Sequence, residues 1–133
     1  MTFKATATYS LISNNGYNGY CVHVDGEQLS SCFRSSVSLI GYVRAESVSC
    51  ESHCTNQSSC VGYAVRHFSV GNWCYLYSSD TVCPAGFDYN PGKTAEKMDD
   101  LKCVGGPGQW PEMNDWACYG KNLGKRIVQV KRN

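Results

Sequence analysis

The sequence predicts an α+β fold in which a twisted antiparallel sheet of about five strands is crossed by one short helix and stapled by disulfides. Nine cysteines in 133 residues are the first observation. The second is the four-residue spacing of Cys50 and Cys54, which places both on one face of a helix. The third is the alternation of Val61, Tyr63 and Val65 with smaller or polar residues, a period of two that indicates a strand.

The predicted helix, strand, turn and second strand lie together between Ser47 and Tyr77. Ser47 is the expected N-cap, because its hydroxyl can bind an unpaired backbone N–H group in the first turn. Gly71-Asn72 is the expected hairpin turn, and residues 73–77 form the second strand. This unit is the predicted centre of a single domain that spans residues 1–133.

Further strands are predicted on both sides of this unit. Residues 2–12 alternate strictly between apolar and polar side chains, and residues 17–24 form a strand that contains Cys21. Residues 28–44 are expected to be irregular except for one apolar strand near 37–43. A last strand is expected at residues 126–131, within the basic C-terminal segment 123–133.

A long insertion follows the central unit at residues 78–108. Its proline and glycine pairs predict turns, and residues 94–102 are expected to form one or two helical turns. A loop of this length in a small domain is usually functional or held in place, and a Cys83–Cys103 disulfide would hold it.

Composition places the chain in an oxidising compartment. The cysteines have neither Cys-x2-Cys nor zinc-finger spacing, so disulfides are favoured over metal ligands and an extracellular, secreted protein is expected. Asn56-Gln57-Ser58 is a glycosylation sequon, which agrees with that expectation. No apolar run is long enough for a signal peptide or a membrane span.

Charge is unevenly distributed along the chain. Residues 1–120 contain seven Lys/Arg and all eleven Asp/Glu, whereas the last thirteen residues contain five Lys/Arg and no acid. This tail, with Lys125 and Arg126, could contact an anionic glycan or partner, or simply keep the end of the chain soluble. Because no wider basic face is visible, nucleic acid is not an expected partner.

The central motif resembles the PAN/apple family. Cys-x3-Cys-x5-Cys-Val-Gly-Tyr-Ala-Val, which ends at Val65, and Asn-Trp-Cys-Tyr-Leu-Tyr, which ends at Tyr77, are similar to the core of that module. The module occurs in secreted adhesion proteins, in plasma protease precursors and in the N-terminal domain of hepatocyte growth factor. The resemblance covers roughly residues 17–122 and leaves the strands at both termini outside it.

The resemblance also implies a disulfide pattern. It implies Cys50–Cys74 and Cys54–Cys60 between helix and sheet, and a Cys21–Cys118 bridge because Cys118-Tyr119-Gly120-Lys121 is similar to the module's closing motif. With Cys83–Cys103 also assigned, Cys32 is the ninth cysteine. It could form an interchain disulfide, remain a buried thiol, or belong to a different pairing.

Non-catalytic recognition of an extracellular glycan or protein is the expected function. The sequence contains no catalytic motif, metal-binding loop or phosphate-binding loop, so neither a cofactor nor a metal is expected. Aromatic side chains at turns and in the insertion suit a binding patch, although they could equally form a small loop core. The candidate contact residues are Trp110, Tyr89, Phe87, Trp73, Lys125 and Arg126.

The alternative function is structural. Two alternating terminal strands could pair with each other and enlarge the sheet, or one could add to the sheet of a neighbouring molecule. Together with an odd cysteine, the second arrangement would suit a homo-oligomeric subunit of an extracellular fibre or coat.

Overall fold

The computed structural model describes residues 7–14, 16, 18–36, 43–68, 71–105 and 116–122. These residues form mostly antiparallel strands and one α-helix. In chain order the elements are β1 (Thr8–Ile12), β2 (Tyr20–His23), β3 (Ser31–Ser36), α1 (Val43–Asn56), β4 (Cys60–Phe68), β5 (Gly71–Ser78), β6 (Asp88–Asn90), a 3-10 turn (Met98–Asp100), β7 (Leu101–Val104) and β8 (Trp116–Asn122).

Six of the strands form one antiparallel sheet in the order β1-β8-β4-β5-β3-β6. The two central strands, β4 and β5, are also the longest, and their apolar residues alternate as strand sequences do. β2 and β7 pair separately as a two-stranded ribbon. This arrangement, with its four disulfides, confirms a small, disulfide-rich α+β fold.

One face of the sheet is covered by α1. Tyr63 and Val65 of β4 and Leu76 of β5 point toward the helix and are almost completely buried. The disulfides Cys50–Cys74 and Cys54–Cys60 join α1 to β5 and to the start of β4. They match the pairs that the PAN/apple resemblance implies. The helix carries little apolar patterning of its own, so these bridges and the buried cysteines hold it on the sheet.

The β2–β7 ribbon packs against the opposite face, at the end formed by β4 and β8. The Cys21–Cys118 disulfide joins β2 to β8, again as the resemblance implies, and Leu101 of β7 lies over β4. Gly62 of β4 permits this contact, because a Cβ atom there would collide with the Leu101 side chain and the Tyr119 carbonyl oxygen. The sheet is therefore covered by helix on one face and by ribbon on part of the other.

The expected Cys83–Cys103 disulfide is wrong, and so is the assignment of Cys32 as the ninth cysteine. Cys32 bonds to Cys83, whereas Cys103 is a buried thiol outside the four disulfides. The sheet itself separates Cys83 from Cys103. Cys32 and Cys83 lie with the core beneath α1, whereas Cys103 lies on β7, opposite Cys21 in the ribbon on the other face.

Several element boundaries also differ from the sequence prediction. Residues 31–36 form β3 in a stretch expected to be irregular, and α1 begins at Val43 rather than after Ser47. Gly71 and Asn72 do not form the hairpin turn; they belong to β5 and pair with Phe68 and His67.

The insertion and the chain ends differ as well. The expected helical turns at 94–102 are limited to the 3-10 turn, and the following residues form β7. The predicted N-terminal strand is present from Thr8 and pairs with β8 of the same chain. Three predicted stretches lie outside the described residues: residues 2–6, most of the strand expected near 37–43, and the strand expected at 126–131.

Candidate functional site

A groove lies on the sheet face opposite α1, beside the β2–β7 ribbon. It has a volume of about 520 Å³, within the range of pockets that bind small ligands. Residues from β2, β3, β4, β5, β6, β8 and the connection between β2 and β3 line it. They are Tyr20, Cys21, Val22, Gly26, Gln28, Leu29, Ser31, Arg66, Tyr75, Tyr77, Asn90 and Trp116.

Arg66 lies at this groove between two tryptophans. In the sheet register it is paired with Trp73 of β5 on one side and with Trp116 of β8 on the other. Paired residues in adjacent antiparallel strands project from the same face, so the three side chains share the face opposite α1. The guanidinium carbon of Arg66 lies 5.2 Å from the centre of the Trp116 ring, a cation–π distance.

Aromatic rings continue across the same face in a connected series. Tyr75 lies at its centre, with ring centroids 5.0 Å from Trp116 and 5.8 Å from Phe33. Phe33 stacks on Trp73 at 6.1 Å, and Trp116 contacts Tyr20 at 5.6 Å. We call Trp73, Phe33, Tyr75, Trp116 and Tyr20 the aromatic array. All five are partly exposed, so the array offers flat apolar surface that is not fully used in packing.

The two tyrosines at the centre of the groove remain neutral over the physiological range. Burial raises the pKa of Tyr75 to about 12, although the neighbouring Arg66 guanidinium opposes this shift. Tyr77 is almost completely buried, and burial also raises its pKa, with a smaller contribution from Tyr75. Tyrosine hydroxyls are therefore available as neutral hydrogen-bonding groups rather than as anions.

Polar groups lie at the other side of the groove. Gln28, Ser31 and Asn90 provide amide and hydroxyl groups there. Next to them Lys93 donates a hydrogen bond to the Asp25 carboxylate, which, together with the Glu27 backbone N–H, lowers the pKa of Asp25 to about 2. The connection between β2 and β3 is thereby tied to the segment that follows β6.

The six residues that the sequence singled out do not form one site. Trp73 belongs to the aromatic array. Phe87 is only 8% exposed and lies in the core beneath α1, where it contacts His53 and the Arg34 guanidinium, so it is a packing residue. Tyr89 is 40% exposed at the edge strand β6, but its register opposite Cys32 places it on the helix-bearing face.

The remaining sequence candidates are only partly described. Trp110, Lys125 and Arg126 lie outside the described residues. Asn56, the acceptor of the sequon, is exposed as the last residue of α1. Because α1 and the groove lie on opposite faces of the sheet, a glycan on Asn56 would leave the groove accessible.

Sequence reasoning missed most of the groove. Its candidate contact residues do not include Tyr20, Tyr75, Tyr77 or Arg66. A signal was present in the pattern Trp73-x-Tyr75-x-Tyr77, because its period of two places three aromatic residues on one face of a strand. The position of Arg66 beside them depends on strand register, which the sequence does not state.

The described residues contain no group of three or more His, Cys, Asp or Glu side chains arranged to bind a metal ion. Within the same residues no helix is both long and apolar enough to cross a membrane. Comparisons with protein-family models, with curated proteins and with solved structures find no match for this chain.

Proposed function

We propose that this chain is a non-catalytic recognition module that binds an extracellular glycan in the groove. The observation that supports the proposal is the partly exposed aromatic array beside Arg66 and a set of polar side chains. Carbohydrate recognition needs this combination, because a pyranose ring presents an apolar C–H face to aromatic rings and hydroxyl groups to amides.

The compartment is part of the same proposal. Four disulfides are characteristic of small domains in oxidising environments, and they support an extracellular or lumenal location. The motif between Cys50 and Tyr77 supports membership of the PAN/apple family, as do the three disulfides that match its expected pattern. A module of this kind serves adhesion or recognition rather than catalysis.

A panel of soluble oligosaccharides, followed by NMR chemical-shift changes, tests the function. We expect a ligand to shift the signals of Tyr20, Tyr75 and Trp116. Tyr20→Ala should weaken binding by roughly tenfold, because it removes one aromatic contact residue of the groove. Tyr89→Ala is the matched control, since it removes an exposed tyrosine from the opposite face.

Two outcomes would contradict the proposal. One is the absence of any saccharide that shifts groove signals. The other is binding that Tyr89→Ala weakens as much as Tyr20→Ala does. A protein ligand that occupies the groove while all saccharides fail would keep the recognition function and change its ligand class.

A structural role is the second candidate, supported by the position of β1 at the edge of the six-stranded sheet. An edge strand can add to the sheet of another molecule through backbone hydrogen bonds. The pairing of β1 with β8 of its own chain uses one side of the strand for the monomer's sheet. For this reason we favour recognition over assembly.

A further inference from the structure

We propose that the groove selects anionic saccharides, with a carboxylate or sulfate of the sugar bound by Arg66 and the sugar ring on Tyr75 and Trp116. This inference rests on the proposed function, because it names the class of glycan that the same groove would bind. The argument depends on how Arg66 is held, on the charges around it and on the neutral groups that share its face.

The backbone and two neighbouring strands fix the position of Arg66. Its partners in the register are Trp73 and Trp116, and its guanidinium lies over the Trp116 ring at 5.2 Å. An arginine whose side chain rests on an aromatic ring loses less conformational freedom when it binds an anion. The planar guanidinium presents paired N–H groups that match the two oxygens of a carboxylate or two oxygens of a sulfate.

The charge of the groove is positive. Among the described residues that line it, Arg66 is the one with a charged side chain. Of the acids described on this side of the sheet, Asp25 pairs with Lys93, and Asp88 shares the sheet face with its register partner Phe33 but does not line the groove. An anionic ligand therefore complements the groove, whereas a second cation would be repelled.

Tyr75 and the polar side chains suit the rest of a sugar. Because burial raises the pKa of Tyr75 to about 12, its hydroxyl stays neutral and can donate a hydrogen bond to an anion or a sugar oxygen. Gln28 and Asn90 place amide groups across the groove, where ring hydroxyls need both donors and acceptors. The volume of about 520 Å³ suits one or two sugar rings.

The chain provides a matched control for Arg66. Arg34 of β3 also packs over an aromatic ring, at 5.4 Å from the centre of Phe87, but it does so on the face that carries α1. Substitution of either arginine by methionine removes one positive charge and one cation–π contact. A ligand in the groove should distinguish the two variants.

The experiment compares two hexasaccharides by isothermal titration calorimetry with the 133-residue chain. One is a hyaluronan hexasaccharide, which alternates glucuronic acid with N-acetylglucosamine, and the other is chitohexaose, which is neutral. We expect the acidic sugar to bind at least roughly tenfold more tightly, as a charge-assisted hydrogen-bond pair does. Arg66→Met should remove this preference, Arg66→Lys should restore part of it, and Arg34→Met should leave it unchanged.

A further variant controls for the basic C-terminal segment. Lys125→Ala combined with Arg126→Ala removes two charges that could attract any polyanion. We expect this variant to retain the preference for the acidic sugar. A simpler measurement is the chemical shift of the Trp116 indole N–H. Addition of hyaluronan should change this shift in the parent protein but not in Arg66→Met. Backbone amide spectra show whether each variant is folded.

Each failure has a distinct meaning. Equal affinity for the two hexasaccharides overturns the selection of anions and leaves the groove as a glycan site. The selection of anions by Arg66 is also overturned if Arg34→Met or the tail variant loses the preference for the acidic sugar while Arg66→Met retains it. The anion is then bound elsewhere. If neither sugar binds, the selection of anions fails, and the saccharide panel then tests the glycan function separately.

Discussion

Lys121 is a buried cation that binds the C-terminal end of α1. Its ammonium group donates hydrogen bonds to the carbonyl oxygens of Cys54, at 2.9 Å, and Gln57, at 3.2 Å. The last carbonyl groups of a helix have no partners within the helix and carry partial negative charge, so a cation there is favourable. Burial lowers the pKa of Lys121 and disfavours its charge, which these carbonyl groups offset.

Lys121→Met should destabilise the fold by about 1–3 kcal/mol, because it removes two charge-assisted hydrogen bonds and leaves the Cys54 and Gln57 carbonyl groups with only their backbone donors, the N–H groups of Gln57 and Cys60. Urea unfolding followed by circular dichroism measures the change. Lys102→Met is the control, since Lys102 is exposed on β7 and its loss should change stability by less than about 0.5 kcal/mol. Equal unfolding midpoints for the two variants would show that the cap does not contribute.

Residue-scale roles were only partly predictable from the sequence. Lys121 is the last residue of Cys118-Tyr119-Gly120-Lys121, which resembles the closing motif of the PAN/apple module. The motif itself gives no reason for a lysine at this position. The reason is visible once β8 lies beneath the end of α1. Arg66 and Arg34 show the same limit, because their aromatic partners, Trp116 and Phe87, come from distant parts of the sequence.

At the scale of elements, α1 depends on covalent attachment to the sheet. Cys50–Cys74 closes 24 residues of chain, Cys54–Cys60 closes 6, and Cys21–Cys118 closes 97 between β2 and β8. A disulfide stabilises mainly by restricting the unfolded chain, and this effect grows slowly with the length that it closes. The three bridges should therefore contribute unequally.

Replacement of each pair by alanines should rank the bridges by loop length. The chain-entropy relation gives losses of about 2 kcal/mol for Cys54–Cys60, about 3.5 for Cys50–Cys74 and about 5 for Cys21–Cys118. Guanidinium unfolding of the three double variants under non-reducing conditions measures them. A larger loss from the shortest loop would show that local packing of α1 outweighs the chain-entropy effect.

Long periodic elements were predictable, and short ones were not. The sequence predicts β4 because its apolar residues alternate over several positions, and it predicts β1 because residues 2–12 alternate throughout. β3 was missed because its alternation is concealed: its helix-side positions are Cys32 and Arg34, and Arg34 is held by Phe87 rather than by apolar packing. β7 is only four residues long and follows a 3-10 turn.

The fold of the whole molecule determines which cysteines can form disulfides. Cys83 and Cys103 lie only twenty residues apart in sequence and both border the insertion, which made their pairing attractive. The sheet lies between them, with Cys83 on the helix side and Cys103 in the ribbon. No local pattern reports on which side of a sheet a loop passes, so the pairing could not be predicted from spacing. The groove also depends on the fold of the whole molecule, because residues of β2, β4, β5 and β8 line it together.

Light scattering tests the assembly alternative at the same scale. We expect the oxidised protein to be a monomer over a wide concentration range, because β1 pairs within its own chain. Mild reductant should not change the mass. A large species that persists on dilution would contradict this expectation, and its conversion to monomer by reductant would identify an interchain disulfide.

The Cys21–Cys118 bridge joins positions near the two ends of the described chain, at a sequence separation of 97. Every connection between β2 and β8, including the insertion, lies inside this covalent ring. A protease that cuts one of these loops therefore opens the ring without separating the two fragments. The cut protein keeps both parts of the groove attached to each other, so a single cleavage is compatible with continued binding, and the two fragments would separate on a reducing gel.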